Sequence, residues 1–95
     1  MVAVFVTFDS DTLDEERVRN VAAEARGMFE GMPNLRNKFF TLGEKRNHAT
    51  NIYVWESEDA AREFFSDQLL ARVTGLYGIQ PQIEFAEVLE LVDNS

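Results

Sequence analysis

A chain of 95 residues, 45% hydrophobic and 27% charged, has the size and make-up of one globular domain, residues 1–95, and is too rich in apolar side chains to be a disordered polymer. Seventeen acidic against nine basic residues leave a formal charge of −8, which repels nucleic acid and anionic membrane surfaces. The absence of cysteine excludes disulfides, thiolate metal sites and cysteine nucleophiles.

Residues 2–9, rich in Val and Phe and loosely alternating, predict a first strand. Their apolar run is too short to span a bilayer, and no basic leader or small-residue cleavage site accompanies it, so the expected location is cytoplasmic. Thr12-Leu13-Asp14-Glu15 fits a capping box, and Asp14, Glu15 and Glu16 suit the positive end of a helix dipole. Val18, Val21, Ala22, Ala25, Met28, Phe29 and Met32 then recur at three- and four-residue steps. They form the stripe of an amphipathic helix, which Gly31, Pro33 and Asn34 end. Residues 35–42 and 48–56 read as the second and third strands, joined by a polar turn over 43–47. Ser57 caps a second helix whose apolar positions are Ala60, Ala61, Phe64 and Phe65. A short helical piece with Leu69, Leu70 and Val73 stops near Gly75, and Gly78 and Pro81 mark a loop. Residues 82–92 close the chain as a long fourth strand.

The order β-α-β-β-α-β predicts an α+β fold of the ferredoxin-like type, a four-stranded antiparallel sheet with the helices on one face. Both parities of the strands are apolar. In the third strand Tyr53 and Trp55 point one way and Ile52 and Val54 the other, and in the first Val2, Val4, Val6 and Phe8 oppose Ala3, Phe5 and Thr7. A face open to water would be more polar. The second face is therefore expected to be covered by a second copy, giving a homodimer in which two sheets meet as a dimeric α/β barrel.

No phosphate-binding loop, dinucleotide fingerprint, zinc-binding helix or nucleophile elbow is present. With one His and no Cys, a histidine- or cysteine-based metal centre cannot be built within one chain. Histidine is the side chain that titrates near neutrality, which makes His48 the candidate general base; beside a polar turn it equally fits a solvated structural role. Asn47 and Asn51 are candidates for holding a carbonyl or oxyanion, or for satisfying backbone. Tyr53, Trp55 and Tyr77 combine apolar bodies with polar handles and suit an aromatic pocket as well as a core. Phe39, Phe40, Phe64 and Phe65 are assigned to the core. Arg72 can meet a substrate anion or pair with Glu63 on the surface. Arg36, Lys38, Lys45, Arg46 and His48 fall within thirteen residues, either as solvated hairpin tips or as a weak anion or carboxylate site to which Lys38 contributes.

The stretch Tyr53-Val54-Trp55-Glu56-Ser57-Glu58-Asp59-Ala60 resembles the strand-to-helix junction of the antibiotic-biosynthesis monooxygenase-like, dimeric α/β-barrel proteins. Asn47-His48-Ala49, Ile52-Tyr53, Ala71-Arg72-Val73 and Gly75 are similar to the YdhR-type monooxygenases, and the order of elements agrees over nearly the whole chain. The resemblance implies a homodimer with a pocket in each subunit between sheet and helices. It also implies oxidation of aromatic or polyketide-like compounds by O₂ with no metal or flavin. The haem-degrading branch uses an Asn, a Trp and a His. Here the Trp position falls on Phe64, the His position on Thr74, and the first strand offers no Asn, so haem degradation is disfavoured.

The resulting expectation is a cofactor-independent monooxygenase acting on a small hydrophobic or aromatic compound. His48 and Asn51 are its catalytic candidates. Lys38, Tyr53, Trp55, Arg72 and Tyr77 are its substrate contacts, and no cofactor, metal, nucleic acid or membrane is involved. The alternative is a non-catalytic, small-molecule-binding or stress-associated dimer with the same pocket.

Overall fold

The computed structural model describes residues 1–10, 13–45 and 47–94. In chain order the elements are β1 (Val2–Asp9), α1 (Glu15–Phe29), β2 (Leu35–Leu42), β3 (His48–Trp55), α2 (Glu58–Phe64), α3 (Asp67–Tyr77) and β4 (Gln82–Glu87). The four strands form one antiparallel sheet in the order β2-β3-β1-β4, which is the α+β, ferredoxin-like arrangement. Among the described residues no helix is long and apolar enough to cross a membrane.

Caps set the helix boundaries. The Asp14 carboxylate accepts hydrogen bonds from the backbone N–H groups of Glu16 and Arg17 at 3.0 and 3.4 Å, satisfying donors that the first turn leaves free. Thr12, whose hydroxyl the sequence pattern assigns to this cap, lies outside the described residues. Ser57 caps α2 through Ala60 N–H, and Ser66 caps α3 through Leu69 N–H. The predicted short helical piece is a full helix: it runs through Gly75 to Tyr77 and ends where Gly78 takes a left-handed φ of 81°, its N–H bonding the Thr74 carbonyl. A glycine tolerates this conformation at no steric cost.

Alternation assigns the two faces of the sheet. Val2, Val4, Val6 and Phe8 of β1, with Ala49, Tyr53 and Trp55 of β3, are buried against the helices. Val18, Ala61 and Tyr77 pack onto them from the helices. Phe8 stacks on Tyr77 with ring centroids 3.8 Å apart, a contact that contributes about 0.5–1.5 kcal/mol beyond its buried area and pins the end of α3 to the sheet. The opposite face carries the row Phe39–Ile52–Phe5–Glu84 across the four strands. Phe39, assigned to the core from sequence, stands on this face and is 50% exposed.

β2 carries an irregularity that decides the position of one side chain. Leu35 pairs with Trp55 and Asn37 with Val54, so Arg36 is an extra residue. The shift lets Leu35 face the helices and then returns Lys38, Phe40 and Leu42 to the same side, as their pairing with Tyr53, Asn51 and Ala49 shows.

The fourth strand is shorter than predicted. Glu87 pairs with Val2, and Val88 N–H still reaches the Met1 carbonyl, but β1 supplies no backbone beyond that point. Residues 88–94 continue without regular structure, and Leu91–Asn94 lie near β2 on the open face. There Leu91 and Val92 border a groove with Asn37, Phe39 and Val54.

Candidate functional site

The helix-covered face of β3 presents Ala49, Asn51, Tyr53 and Trp55 in succession, three of them bearing a polar atom in an apolar layer. α1 and α3 lie over this face and leave a cavity of about 50 Å³ above Asn51 and Tyr53. Its walls are Val21, Ala25, Met28 and Phe29 of α1, Leu69, Arg72, Val73, Leu76 and Tyr77 of α3, with Phe40 and Phe64. Phe64, Leu69 and Arg72 also wall an outer cleft of about 510 Å³, whose other sides include Met32, Asn34, Trp55 and Glu63. The two spaces share Phe64, Leu69 and Arg72 as a common wall.

Polar groups in this lining are few and specific. The Asn51 amide, 4% exposed, donates a 3.1 Å hydrogen bond to the Tyr77 hydroxyl. Burial raises the Tyr77 pKa while the Asn51 bond opposes that rise. Tyr53 is driven above the ordinary tyrosine range first by burial and then by the nearby Tyr77. Both phenols therefore stay protonated across the neutral range. The Trp55 indole Nε1 is buried with no hydrogen-bond partner. An unmet buried donor costs about 1–3 kcal/mol, so a ligand oxygen reaching it gains more than it would at the surface.

Lys38 is not among the residues lining either space; it packs beneath the aromatic layer beside them. Its Nζ is buried without a hydrogen-bond partner. It sits over the ring faces of Tyr53 at 3.8 Å, Phe40 at 4.1 Å and Phe29 at 5.1 Å from the centroids. Burial pushes its pKa down from 10.5 to about 7. The ring quadrupoles pull in the other direction, favouring the ammonium.

The other sequence candidates are placed as follows. Asn51, Tyr53, Arg72 and Tyr77 line the inner cavity, and Trp55 and Arg72 line the outer cleft. His48 shares the parity of Thr50 and Ile52, so it projects on the opposite face of the sheet, where its imidazole packs directly against Gly43. The basic cluster is dispersed: Lys38 turns inward, Lys45 is exposed, and Arg36 lies 3.8 Å from Glu56 across the strands. Arg46 lies outside the described residues. Among the described ion pairs none joins Arg72 to Glu63. Phe29 and Phe64 were readable as apolar stripes, but nothing in the spacing marked them as cavity walls.

No protein-family model matches the sequence, and no curated protein matches it. Solved structures do. A monooxygenase from the gene ActVA-Orf6 of Streptomyces coelicolor, determined with the ligand nanaomycin D, superimposes with a TM-score of 0.71 at 19% identity, over 99% of this chain and 92% of that one. SnoaB, a cofactor-independent oxygenase from Streptomyces nogalater, gives 0.71 at 17% identity over 96% and 95%. A candidate antibiotic-biosynthesis monooxygenase from Deinococcus radiodurans gives 0.71 at 12% identity over 100% and 99%. The chain has the antibiotic-biosynthesis monooxygenase fold. The cavity described above lies between the sheet and the helices of this fold, beside the outer cleft.

The Lys38 environment has a measurable consequence. Below about pH 7 the amine is charged in both folded and unfolded chains, and the full burial penalty opposes folding. Between about 7 and 10.5 the unfolded chain binds a proton that the folded chain does not, so stability rises with pH. The two tyrosines, whose folded pKa values are raised, reverse that trend above about 10. Urea midpoints measured from pH 6 to 10 should climb for the parent protein, and for Lys38→Met should be higher at pH 6 and nearly flat. A parallel climb in the variant would assign the pH dependence to other groups.

Proposed function

We propose that the protein is a cofactor-independent monooxygenase acting on a small hydrophobic or aromatic compound held between the sheet and the helices. The resemblance of Asn47-His48-Ala49 and Ala71-Arg72-Val73 to the YdhR-type proteins supports a reading within that subfamily. The observation that carries the reading is the aromatic-walled cavity with a few convergent polar groups, sharing Phe64, Leu69 and Arg72 with a larger cleft, in a fold that SnoaB uses as a cofactor-independent oxygenase.

The chemistry asks little of the protein beyond ionisation and positioning. An electron-rich ring anion reacts with O₂ directly, and the substrate supplies its own electrons. For a ring methylene the balance is CH₂ + O₂ → C=O + H₂O. Apolar walls strip water from the anion, Asn51 and Arg72 orient its oxygens, and the unmet Trp55 N–H can hold a carbonyl at the mouth. Such oriented donors are each worth about 100-fold or more in rate. The position of His48 on the far face favours the second reading, a dimer that binds the same compounds without turnover.

Oxygen consumption with a panel of phenolic and anthrone-like compounds separates the two. The oxygenase reading expects protein-dependent, saturable O₂ uptake with at least one compound, reduced about 100-fold in Asn51→Ala. Saturable binding with no uptake across the panel would establish the binding protein instead.

The same reading includes a homodimer formed through the open sheet face. Phe39 is half exposed there, and Leu89, Leu91 and Val92 of the C-terminal segment are 82%, 46% and 79% exposed. Apolar groups gathered in this way are a liability on a free monomer and an asset in an interface. Sedimentation equilibrium should give twice the 10.9 kDa chain mass at micromolar concentration, and Phe39→Asp should shift it toward the monomer without unfolding it. A concentration-independent monomer would remove the dimer.

A further inference from the structure

We propose that the inner cavity is a binding site for molecular oxygen, held there beside the organic compound in the outer cleft. This inference rests on the oxygenase reading above and supplies the place of its second substrate.

Three observations support it. The first is size. At about 50 Å³ the cavity offers several times the space that one water needs, and about a third of that in an apolar cavity that takes benzene. A molecule of two heavy atoms fits, and an aromatic ring does not. The second is the lining. Nine of its thirteen residues carry aliphatic, thioether or phenyl side chains. Among the others, the Asn51 amide and the Tyr77 hydroxyl bond each other at 3.1 Å, and Arg72 is exposed. A buried water typically makes about three hydrogen bonds, so such walls favour an apolar occupant. Dioxygen has no dipole and accepts hydrogen bonds poorly. Its transfer from water into these walls is favourable, and it restores dispersion contacts that the lining atoms otherwise lack.

The third is position. Phe64, Leu69 and Arg72 wall both spaces, so an occupant of the cavity lies next to an occupant of the cleft. Of the two, the cleft of about 510 Å³ has room for a ring compound. Oxygen held at the edge of that compound reacts as a neighbour rather than as a chance encounter from solution, which is the gain that proximity gives. Passage to the cavity needs no rearrangement of the fold. Met28 of α1 and Leu76 of α3 line it and are also half-exposed, so each stands between the space and solvent. Exposed side chains rotate within picoseconds to nanoseconds, and a diatomic needs little wider opening than that.

Methyl-resolved ¹H–¹³C NMR under xenon and under O₂ pressure tests the site. Xenon, the probe, should shift the signals of Val21, Ala25 and Val73 saturably, and paramagnetic O₂ should enhance the relaxation of the same signals. Val4 and Val6 are fully buried but do not line the cavity, and should respond little. Ala25→Leu, which fills the space with a good helix former, should abolish both effects. Leu76→Ala widens the space at a half-exposed side chain and should strengthen the xenon response, which keeps the test decisive if Ala25→Leu does not fold. Equal effects at Val4 and Val6, effects confined to Leu91 and Val92 on the open face, full effects in a folded Ala25→Leu, or an unchanged response in Leu76→Ala overturn the proposal. So does a water held against the Asn51 amide, seen as a nuclear Overhauser signal without a xenon shift. O₂ uptake is measured in parallel. Ala25→Leu should raise the O₂ concentration for half-maximal uptake and leave that of the organic compound unchanged; the reverse overturns the assignment to oxygen. Uptake with no compound removes the oxygenase, while the gas shifts still decide the site.

Discussion

Tyr53 is the contact on which both the core and the site depend. Its ring meets Phe29 of α1 at 5.7 Å, Phe64 of α2 at 5.7 Å, Phe65 at 4.9 Å and Trp55 of its own strand at 6.2 Å. Each such pair contributes about 0.5–1.5 kcal/mol beyond buried area, a considerable sum against the few kcal/mol of net stability that a domain of this size has. The same ring walls the cavity and carries the Lys38 amine on its face. Core packing and the cavity wall therefore use one aromatic layer.

Into that layer the strands insert polar atoms where alternation alone would place apolar ones. Asn51 occupies a position on β3 flanked by Ala49 and Tyr53, and its amide is satisfied by Tyr77 rather than by solvent. Trp55 Nε1 and Lys38 Nζ are left unsatisfied. Well-packed cores rarely carry such groups unless something else meets them, and departures from local consistency concentrate where a protein acts. Asn51 lines the inner cavity and Trp55 the outer cleft, while Lys38 lies against the rings of Phe29, Phe40 and Tyr53 that wall the cavity.

Much of the architecture was legible in the primary sequence. Period-two alternation gave β1 and β3 with the correct parity, and the Ser57 cap with an acidic first turn marked α2. The open face was visible as apolar residues on both parities, and the structure leaves Phe39 uncovered on it. What escaped were features set by pairing. The end of β4 depends on where β1 stops supplying partners, which no pattern within residues 82–92 records. The inward turn of Lys38 depends on a single extra residue, Arg36, between two register positions. Read locally, Lys38 belonged to a basic cluster at a hairpin, and only the register shows that its neighbours in space are rings. His48 carried the strongest chemical signal in the sequence and stands on the face away from the cavity, because one residue of strand separates it from the parity of Asn51. Chemistry-bearing residue types are readable from composition; which of them meet is a property of the ladder.

A ligand of the proposed enzyme binds in the space between sheet and helices. A ¹H–¹⁵N NMR titration with 1-naphthol tests this directly, since Trp55 is the only tryptophan and gives one indole N–H signal. Saturable shifts of that signal and of the Asn51 side-chain amide, with the backbone of Thr41 and Glu84 unmoved, are expected. Shifts confined to the open face, around Phe39 and Leu91, with the Trp55 and Asn51 signals unchanged, would contradict it.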